Sequence, residues 1–344
     1  MTQPAVRLES TPLLAKLLKH ELSDGAIARS LGAKFVRQRE YWGDALLKPL
    51  ANMAERQGKE LRARLVIIAW KMAGAEGEVP DVLIGIVEAL HLGSLIVDDI
   101  EDGSTTRRGG PTLHDRIGLP LALNAANWLY FWPTLLIDRL RLAPHQELHL
   151  RRTIEQHVLL CHFGQALDLS LRVCDLKQSE VLEAVRSTSE LKTGCLMELA
   201  SRAGAIVGGA DAATVEELGK LGRNLGLALQ MLDDLTSITS ERRAEKGRED
   251  LNLGRPTWPW AWLAQQSDEM AYGRLRALEE LVLEGKVDSD IIAATLRVQI
   301  GALGRAEIRR LLGESLAQTR GSLGERAGMS DLLEWIRELE GCVG

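Results

Sequence analysis

The sequence carries no excess of basic charge, no paired cysteines and almost no alternating apolar and polar runs, and each absence removes a class of protein. Its 42 lysines and arginines face 48 aspartates and glutamates, a formal net charge of −6. That balance lacks the cationic footprint with which a nucleic-acid binder neutralises phosphates, so no nucleic-acid partner is expected. The four cysteines, Cys161, Cys174, Cys195 and Cys342, show no C-x-x-C spacing and read as reduced intracellular thiols. A signal peptide is not expected, because Glu9 precedes the first apolar residues and Lys16 and Lys19 interrupt them, and a cytoplasmic location goes with that reading. No P-loop and no strand-anchored G-x-G-x-x-G occurs. One uncharged stretch, 117–137, is long enough to cross a bilayer, but it holds Gly118, Pro120, Asn124, Asn127 and Pro133. The two prolines bracket a helix of at most about a dozen residues, and the asparagines would lack polar partners in lipid. A buried helix, not a transmembrane one, is expected.

What is present is helical periodicity. Hydrophobic residues make up 45% of the 344 and charged residues 26%, ordinary usage for a chain with a large core. Apolar residues recur at helical spacing: Leu13, Leu14, Leu17 and Leu18; Ile84, Val87, Leu90 and Leu95; Leu278, Leu281 and Leu283. Breaks fall at 74–80, 109–111, 143–144, 208–211, 242–259 and 285–288, which predicts about ten to thirteen helices with short connections. No linker and no 20-to-50-residue repeat is visible, so a single helical domain over 1–344 is expected. The longest polar insertion, 242–259, reads as a functional or mobile loop. Gly219, Gly222 and Gly226 fit close helix packing.

The sharpest feature runs from His91 to Asp98-Asp99-Ile100-Glu101-Asp102, followed by Arg107-Arg108-Gly109-Gly110-Pro111. On a helix Asp98 and Asp102 are i and i+4, so both carboxylates share a face, with Asp99 and Glu101 to the sides. Four acids within five residues repel unless cations neutralise them. Hard Mg²⁺ takes carboxylate oxygens, water and phosphate oxygens, which is the ligand set offered here; an acidic helix end balanced by Arg107 and Arg108 is the competing reading. A second acidic pair, Gln230-Met231-Leu232-Asp233-Asp234, also ends an apolar helical run, with Ser237 beyond it. Two such helix ends facing each other across a cavity could clamp a diphosphate through metal ions. Upstream, Lys59 and Arg62 stand at i and i+3, a cationic face suited to phosphate.

These ordered motifs, spread over residues 55–260, resemble those of the trans-isoprenyl diphosphate synthases, or polyprenyl synthetases. The resemblance implies an all-α, isoprenoid-synthase-type bundle around a deep central cavity, Mg²⁺ dependence and a homodimer. It also implies a reaction: an allylic diphosphate ionises, the double bond of isopentenyl diphosphate attacks the allyl cation, and a proton is lost. Position by position, Asp98 and Asp102 would bind metals with Asp99 in support, and Arg107 would contact the allylic diphosphate. Lys59, Arg62, His91 and Arg108 match the isopentenyl diphosphate positions, and Lys192 and Thr193 match a Lys-Thr pair near the ionising bond. Gln230, Asp233 and Asp234 match the second acidic motif, with Asp233 its leading metal ligand. Released pyrophosphate would accept the proton.

Several positions depart from the family pattern. A third acid of the second motif is replaced by Ser237, a hydroxyl suited at most to a metal-bound water; two usual lysines read Arg248 and Arg255; Ala63 replaces a proline; and Asn127-Trp128 replaces a Gly-Asp. Charge survives at 248 and 255, although an arginine fork is not a lysine point charge. Small Gly93 and Ser94, five and four residues before Asp98, imply an open cavity floor at that level, which Trp128, Tyr130, Phe131 and Trp132 or the tryptophans 258, 260 and 262 could close deeper down. A C15 to C20 product follows from that reading. Two rivals are a class I terpene cyclase on the same fold, which needs no isopentenyl diphosphate pocket, and a catalytically weak regulatory subunit of a heteromeric synthase.

Overall fold

The computed structural model describes residues 12–56, 58, 60–240 and 244–343. Along the chain run α1 (Leu13–Glu21), α2 (Asp24–Ser30), α3 (Arg39–Trp42), α4 (Lys48–Glu55), α5 (Leu61–Met72), α6 (Asp81–Glu101), α7 (Leu113–Ile117), α8 (Leu119–Ile137) and α9 (Pro144–Ser170). There follow α10 (Gln178–Ser189), α11 (Cys195–Val207), α12 (Ala212–Thr239), α13 (Ala244–Asn252), α14 (Trp258–Gln266), α15 (Glu269–Leu283), α16 (Asp290–Leu323) and α17 (Met329–Val343). The only strands among the described residues are β1 (Thr106–Arg107) and β2 (Gly110–Pro111), an antiparallel ribbon. The fold is therefore all-α, as expected. The helix count exceeds ten to thirteen because short segments such as α2, α3 and α7 escape a periodicity that needs two or more turns to register.

The helices form two compact units, one of residues 1–66 and 77–151, the other of 67–76 and 152–344. In the first, α6 is apolar around most of its circumference and buries Leu83, Ile86, Leu90 and Ile96, each contributing roughly 1.5–3 kcal/mol. It packs along α8. A Cβ at Gly93 would stand 3.2 Å from Leu129 Cβ and 3.3 Å from the Ala126 carbonyl, so Gly93 serves a helix crossing and not an open cavity floor. The two-proline boundary expected for α8 does not hold: Pro120 lies in the first turn, but Pro133 sits inside a 19-residue helix. A proline there forfeits one backbone hydrogen bond, a cost of about 3 kcal/mol. Burial of Ala122, Ala125, Leu129, Trp132, Pro133 itself, Leu136 and Ile137 on one face offsets it. No helix among the described residues is long and apolar enough to cross a membrane.

In the second unit α12 lies against both α11 and α16. Asp211 caps α12 by accepting the Thr214 N–H at 2.7 Å. Glycines set the spacing, as their pattern predicted: a Cβ on Gly222 would come 2.6 Å from the Met197 carbonyl, and one on Gly226 would come 2.7 Å from Gly194 Cα. Trp260, Trp262 and Trp335 are fully buried in this unit, so the tryptophan cluster is core. The expected loop 242–259 contains α13, where Leu251 is buried and Gly247 lies directly on the Ser237 carbonyl. One buried leucine and one close glycine contact are too little periodicity to reveal a nine-residue helix in a polar stretch.

Candidate active site

In the first unit, three acids end α6 and a two-residue turn returns two arginines to them. Arg108 and Gly109 both take positive φ, 50° and 73°, the geometry of a tight hairpin between β1 and β2. A non-glycine residue held there costs free energy and marks a constrained site. The ribbon is pinned by Arg56, whose guanidinium donates to the Arg107 carbonyl at 3.0 Å and the Pro111 carbonyl at 2.7 Å.

From this ribbon Arg107 reaches back to α6. Its Nε donates to Asp99 Oδ1 at 2.7 Å, a terminal nitrogen contacts the same oxygen, and the guanidinium lies 3.7 Å from Asp98 Oδ2. Asp99 is fully buried, and its Oδ2 has no hydrogen-bond partner among the described residues. Burial pushes its carboxyl above the usual carboxylate range, with Arg107 opposing. Asp99 therefore points inward, against the expectation that it contributes to a metal site. Asp98 and Asp102 stand one turn apart at the helix end, and the Asp102 N–H is bonded to the Asp98 carbonyl at 2.9 Å.

Beside the acids lies a cationic cluster. Arg62 on α5 donates to His91 Nε2 on α6 at 3.1 Å. Burial first, then Arg62, Arg108 and Arg107, hold His91 well below the usual histidine range, so the ring is neutral at pH 7. An arginine cannot accept, so Nε2 does, which leaves the proton on Nδ1, a buried nitrogen with no partner among the described residues. Arg108 donates to the Arg56 carbonyl at 3.3 Å, and a Cβ on Gly58 would come 2.8 Å from its guanidinium. Lys59 lies outside the described residues. Sequence reasoning missed Glu88, three residues before His91 on the same helical face; burial raises its carboxyl while Arg62 and Arg108 oppose. A lone acid within the apolar run of α6 was the available signal.

The second unit carries another constellation. Residues 190–194 form a single π-helical turn between α10 and α11, a rare form found at functional sites. It presents Lys192 and Thr193. Lys192 Nζ donates to Asp168 Oδ2 on α9 at 2.6 Å. Thr193 Oγ1 donates to Gln230 Oε1 at 2.6 Å, and Gln230 Nε2 donates to Asp234 Oδ1 at 2.7 Å. Asp234 Oδ2 accepts the Trp258 N–H at 3.0 Å, and burial pushes this carboxyl up to about 7. Like Asp99, Asp234 faces inward as a scaffold and departs from its expected place among the metal ligands; Asp233 beside it is only partly buried.

Ser237 is buried and donates to the Asp234 carbonyl at 2.7 Å, so it packs the helix instead of holding a metal-bound water. Arg255, also buried, lies 3.9 Å from Asp168 and 3.7 Å from Asp250, while Arg248 forks onto Asp290 at 2.7 and 2.9 Å. Asp168 was missed in the sequence; it is a lone acid in the apolar end of α9. Of the proposed floor residues, Trp128 and Trp132 stack at 4.9 Å, but Phe131 is 72% exposed and lines no interior.

Among the described residues no three His, Cys, Asp or Glu side chains gather as a ready-made metal cage. The donor set suits Mg²⁺ nonetheless, because that ion keeps several waters and binds through one or two carboxylates and substrate phosphates. Asp98 and Asp102, one turn apart on α6, are such carboxylates.

Residues 44–293 match the family model for polyprenyl synthetase. The chain is 27% identical over 343 residues to a geranylgeranyl pyrophosphate synthase of Aspergillus versicolor, covering 96% of this chain and 85% of that protein. Among solved structures, a geranylgeranyl pyrophosphate synthase aligns with a TM-score of 0.76 at 20% identity, over 95% of this chain and 96% of the other. A polyprenyl synthase from Caulobacter crescentus, complexed with calcium and isoprenyl diphosphate, aligns with a TM-score of 0.67 at 22% identity, over 98% and 99%. The all-α fold is shared with these enzymes, and the chain belongs to the polyprenyl synthetase family of prenyltransferases.

Proposed function

We propose that this chain, with 1–344 working as one domain, condenses isopentenyl diphosphate with an allylic diphosphate to give a linear isoprenyl diphosphate of C15 to C20. The observation that carries the reading is the β1–β2 turn, which sets Arg107 against the first acidic cluster and Arg108 beside Arg62 and His91. Acid groups for metals and cations for a second diphosphate are thus built on one ribbon and the two helices α5 and α6. A class I cyclase has no second diphosphate to hold, so it makes no use of that cationic cluster.

Asp98 and Asp102 are assigned to a divalent cation, Mg²⁺, whose charge would stabilise the departing diphosphate, and Asp233 is assigned to a metal in its own unit. The calcium-bound structure of the Caulobacter enzyme supports a divalent ion. Arg62 and Arg108 bind the diphosphate of isopentenyl diphosphate by charge-assisted hydrogen bonds, and neutral His91 adds a donor without adding charge. Lys192, fixed by Asp168, and Thr193, fixed by Gln230, are assigned to the allylic diphosphate as it leaves. Released pyrophosphate takes the final proton. Arg107 acts on the allylic diphosphate while it also neutralises Asp99. Arg255 and Arg248 keep supporting places, tied to Asp168 and Asp290.

Exposed Phe131 and Leu135, one turn apart on α8, support a homodimer, since monomers seldom leave large apolar side chains in a row. The free Cys161, Cys174 and Cys195 fit a cytoplasmic location. Steady-state kinetics of Arg62→Ala and Arg108→Ala test the assignment. Hydrogen bonds to charged groups contribute about 1.5–3 kcal/mol, so KM for isopentenyl diphosphate rises roughly 10- to 100-fold while KM for the allylic substrate stays nearly constant. A rise confined to the allylic substrate would overturn it.

A further inference from the structure

Two cysteines lie beside the Lys192 turn and take no part in the chemistry above. Cys161 on α9 reaches across to the Lys192 carbonyl, its Sγ 4.0 Å from that oxygen. Cys195, first residue of α11, reaches the other way, its Sγ 3.4 Å from the His157 carbonyl one turn below Cys161. The contacts are reciprocal: each sulfur lies against a backbone carbonyl within one helical turn of the other cysteine. The backbones approach closely here too: a Cβ on Gly164 would fall 2.6 Å from both Leu191 C and Lys192 N. Such proximity is what the short, geometrically strict span of a disulfide demands.

We propose that Cys161 and Cys195 form an oxidisable dithiol that closes to a disulfide and thereby repositions the turn carrying Lys192 and Thr193. The oxidant is a peroxide. The more exposed Cys161 attacks one peroxide oxygen as thiolate, the O–O bond breaks, and Cys161 becomes a sulfenic acid with release of water. Buried Cys195 then attacks that sulfur; an S–S bond forms, the S–O bond breaks, and the oxygen leaves with the Cys195 proton as a second water. Two thiols and one hydrogen peroxide give one disulfide and two waters. Cys161, only partly buried, is the thiol a peroxide reaches, while buried Cys195 is left to resolve the sulfenic acid. A disulfide fixes the two sulfurs at about 2 Å from each other. Gly164 leaves no slack between α9 and the turn, so the turn and the Lys192–Asp168 ion pair must shift.

Bond formation stands independently of the proposed activity; its effect on turnover rests on that activity. The full chain is treated with graded hydrogen peroxide, digested without reduction and analysed by mass spectrometry, with Cys161→Ala and Cys195→Ala alongside. A linked peptide joining residues 161 and 195, absent from both variants and released by dithiothreitol, is expected. Peroxide that oxidises Cys174, or both thiols separately, without that linkage overturns the proposal. In parallel, prenyl transfer by the wild-type chain falls at least tenfold on oxidation and recovers with dithiothreitol, while both variants retain turnover. Complete linkage with unchanged turnover overturns the repositioning of the turn, and a chain inactive before oxidation counts against the activity alone.

Discussion

Replacing Arg107 with alanine should cost far more stability than a surface arginine does, and the cost should depend on pH. The guanidinium neutralises Asp99, whose side chain is only 1% exposed. Removing one member of a buried pair strands the other, at about 3–5 kcal/mol. Stranded Asp99 escapes part of that penalty by taking up a proton. Its folded carboxyl, already above the usual range, rises further in the variant. A raised carboxyl contributes stability that is complete below the unfolded-state value, 3.8, and disappears as pH climbs through the folded value. The deficit of Arg107→Ala is therefore largest at pH 8 and smallest near pH 5. Urea unfolding followed by circular dichroism at both pH values measures it. Asp99→Asn in the Arg107→Ala background should recover most of the loss at pH 8, because a neutral amide has no charge to strand. A deficit under 1 kcal/mol, or one identical at pH 5 and pH 8, would refute the view that Arg107 holds a buried carboxylate in place.

Three further outcomes follow from the same structure. Asp98→Ala should lower turnover about 100-fold or more with an unchanged far-ultraviolet spectrum, and near-normal turnover would remove Asp98 from the metal ligands. Ser94 sits one turn before Asp98 and its hydroxyl donates to the His91 carbonyl at 2.8 Å; Ser94→Phe should shorten the product, and an unchanged chain-length distribution by mass spectrometry would place the limit elsewhere. Glu279 is fully buried with neither oxygen partnered among the described residues, and burial lifts it from 4.5 to about 7. Its contribution is intact below pH 4.5 and lost as pH rises to 7, so Glu279→Gln should flatten the pH dependence of stability and gain about 3 kcal/mol at pH 8; parallel pH profiles for the two proteins would contradict this.

Much of the site was legible because its chemistry needs like charges in unfavourable proximity. Asp98 and Asp102 stood out as acids no solvated helix face requires, and Arg107-Arg108 stood out as cations placed to balance them. What the sequence hid was direction. Asp99 and Asp234 carry the same charge as their neighbours, yet the helical rotation of about 100° per residue turns both inward, where Arg107 and the Trp258 N–H receive them. Glu88 and Asp168 are single acids whose importance appears only when α5 and the π turn bring partners to them. Pro133 misled because its backbone cost is visible in sequence while the burial that offsets it is not. Ser237 looked like a lost ligand; its burial against α13 shows that a carboxylate there would have to be desolvated.

The most direct test of the central claim is incubation of the purified chain with Mg²⁺, isopentenyl diphosphate and, separately, dimethylallyl, geranyl, farnesyl or geranylgeranyl diphosphate, with products identified by mass spectrometry before and after phosphatase treatment. The account predicts a longer linear diphosphate, C15 to C20, that forms only when isopentenyl diphosphate is present. A cyclic hydrocarbon made without isopentenyl diphosphate, or no product from any primer, would contradict it.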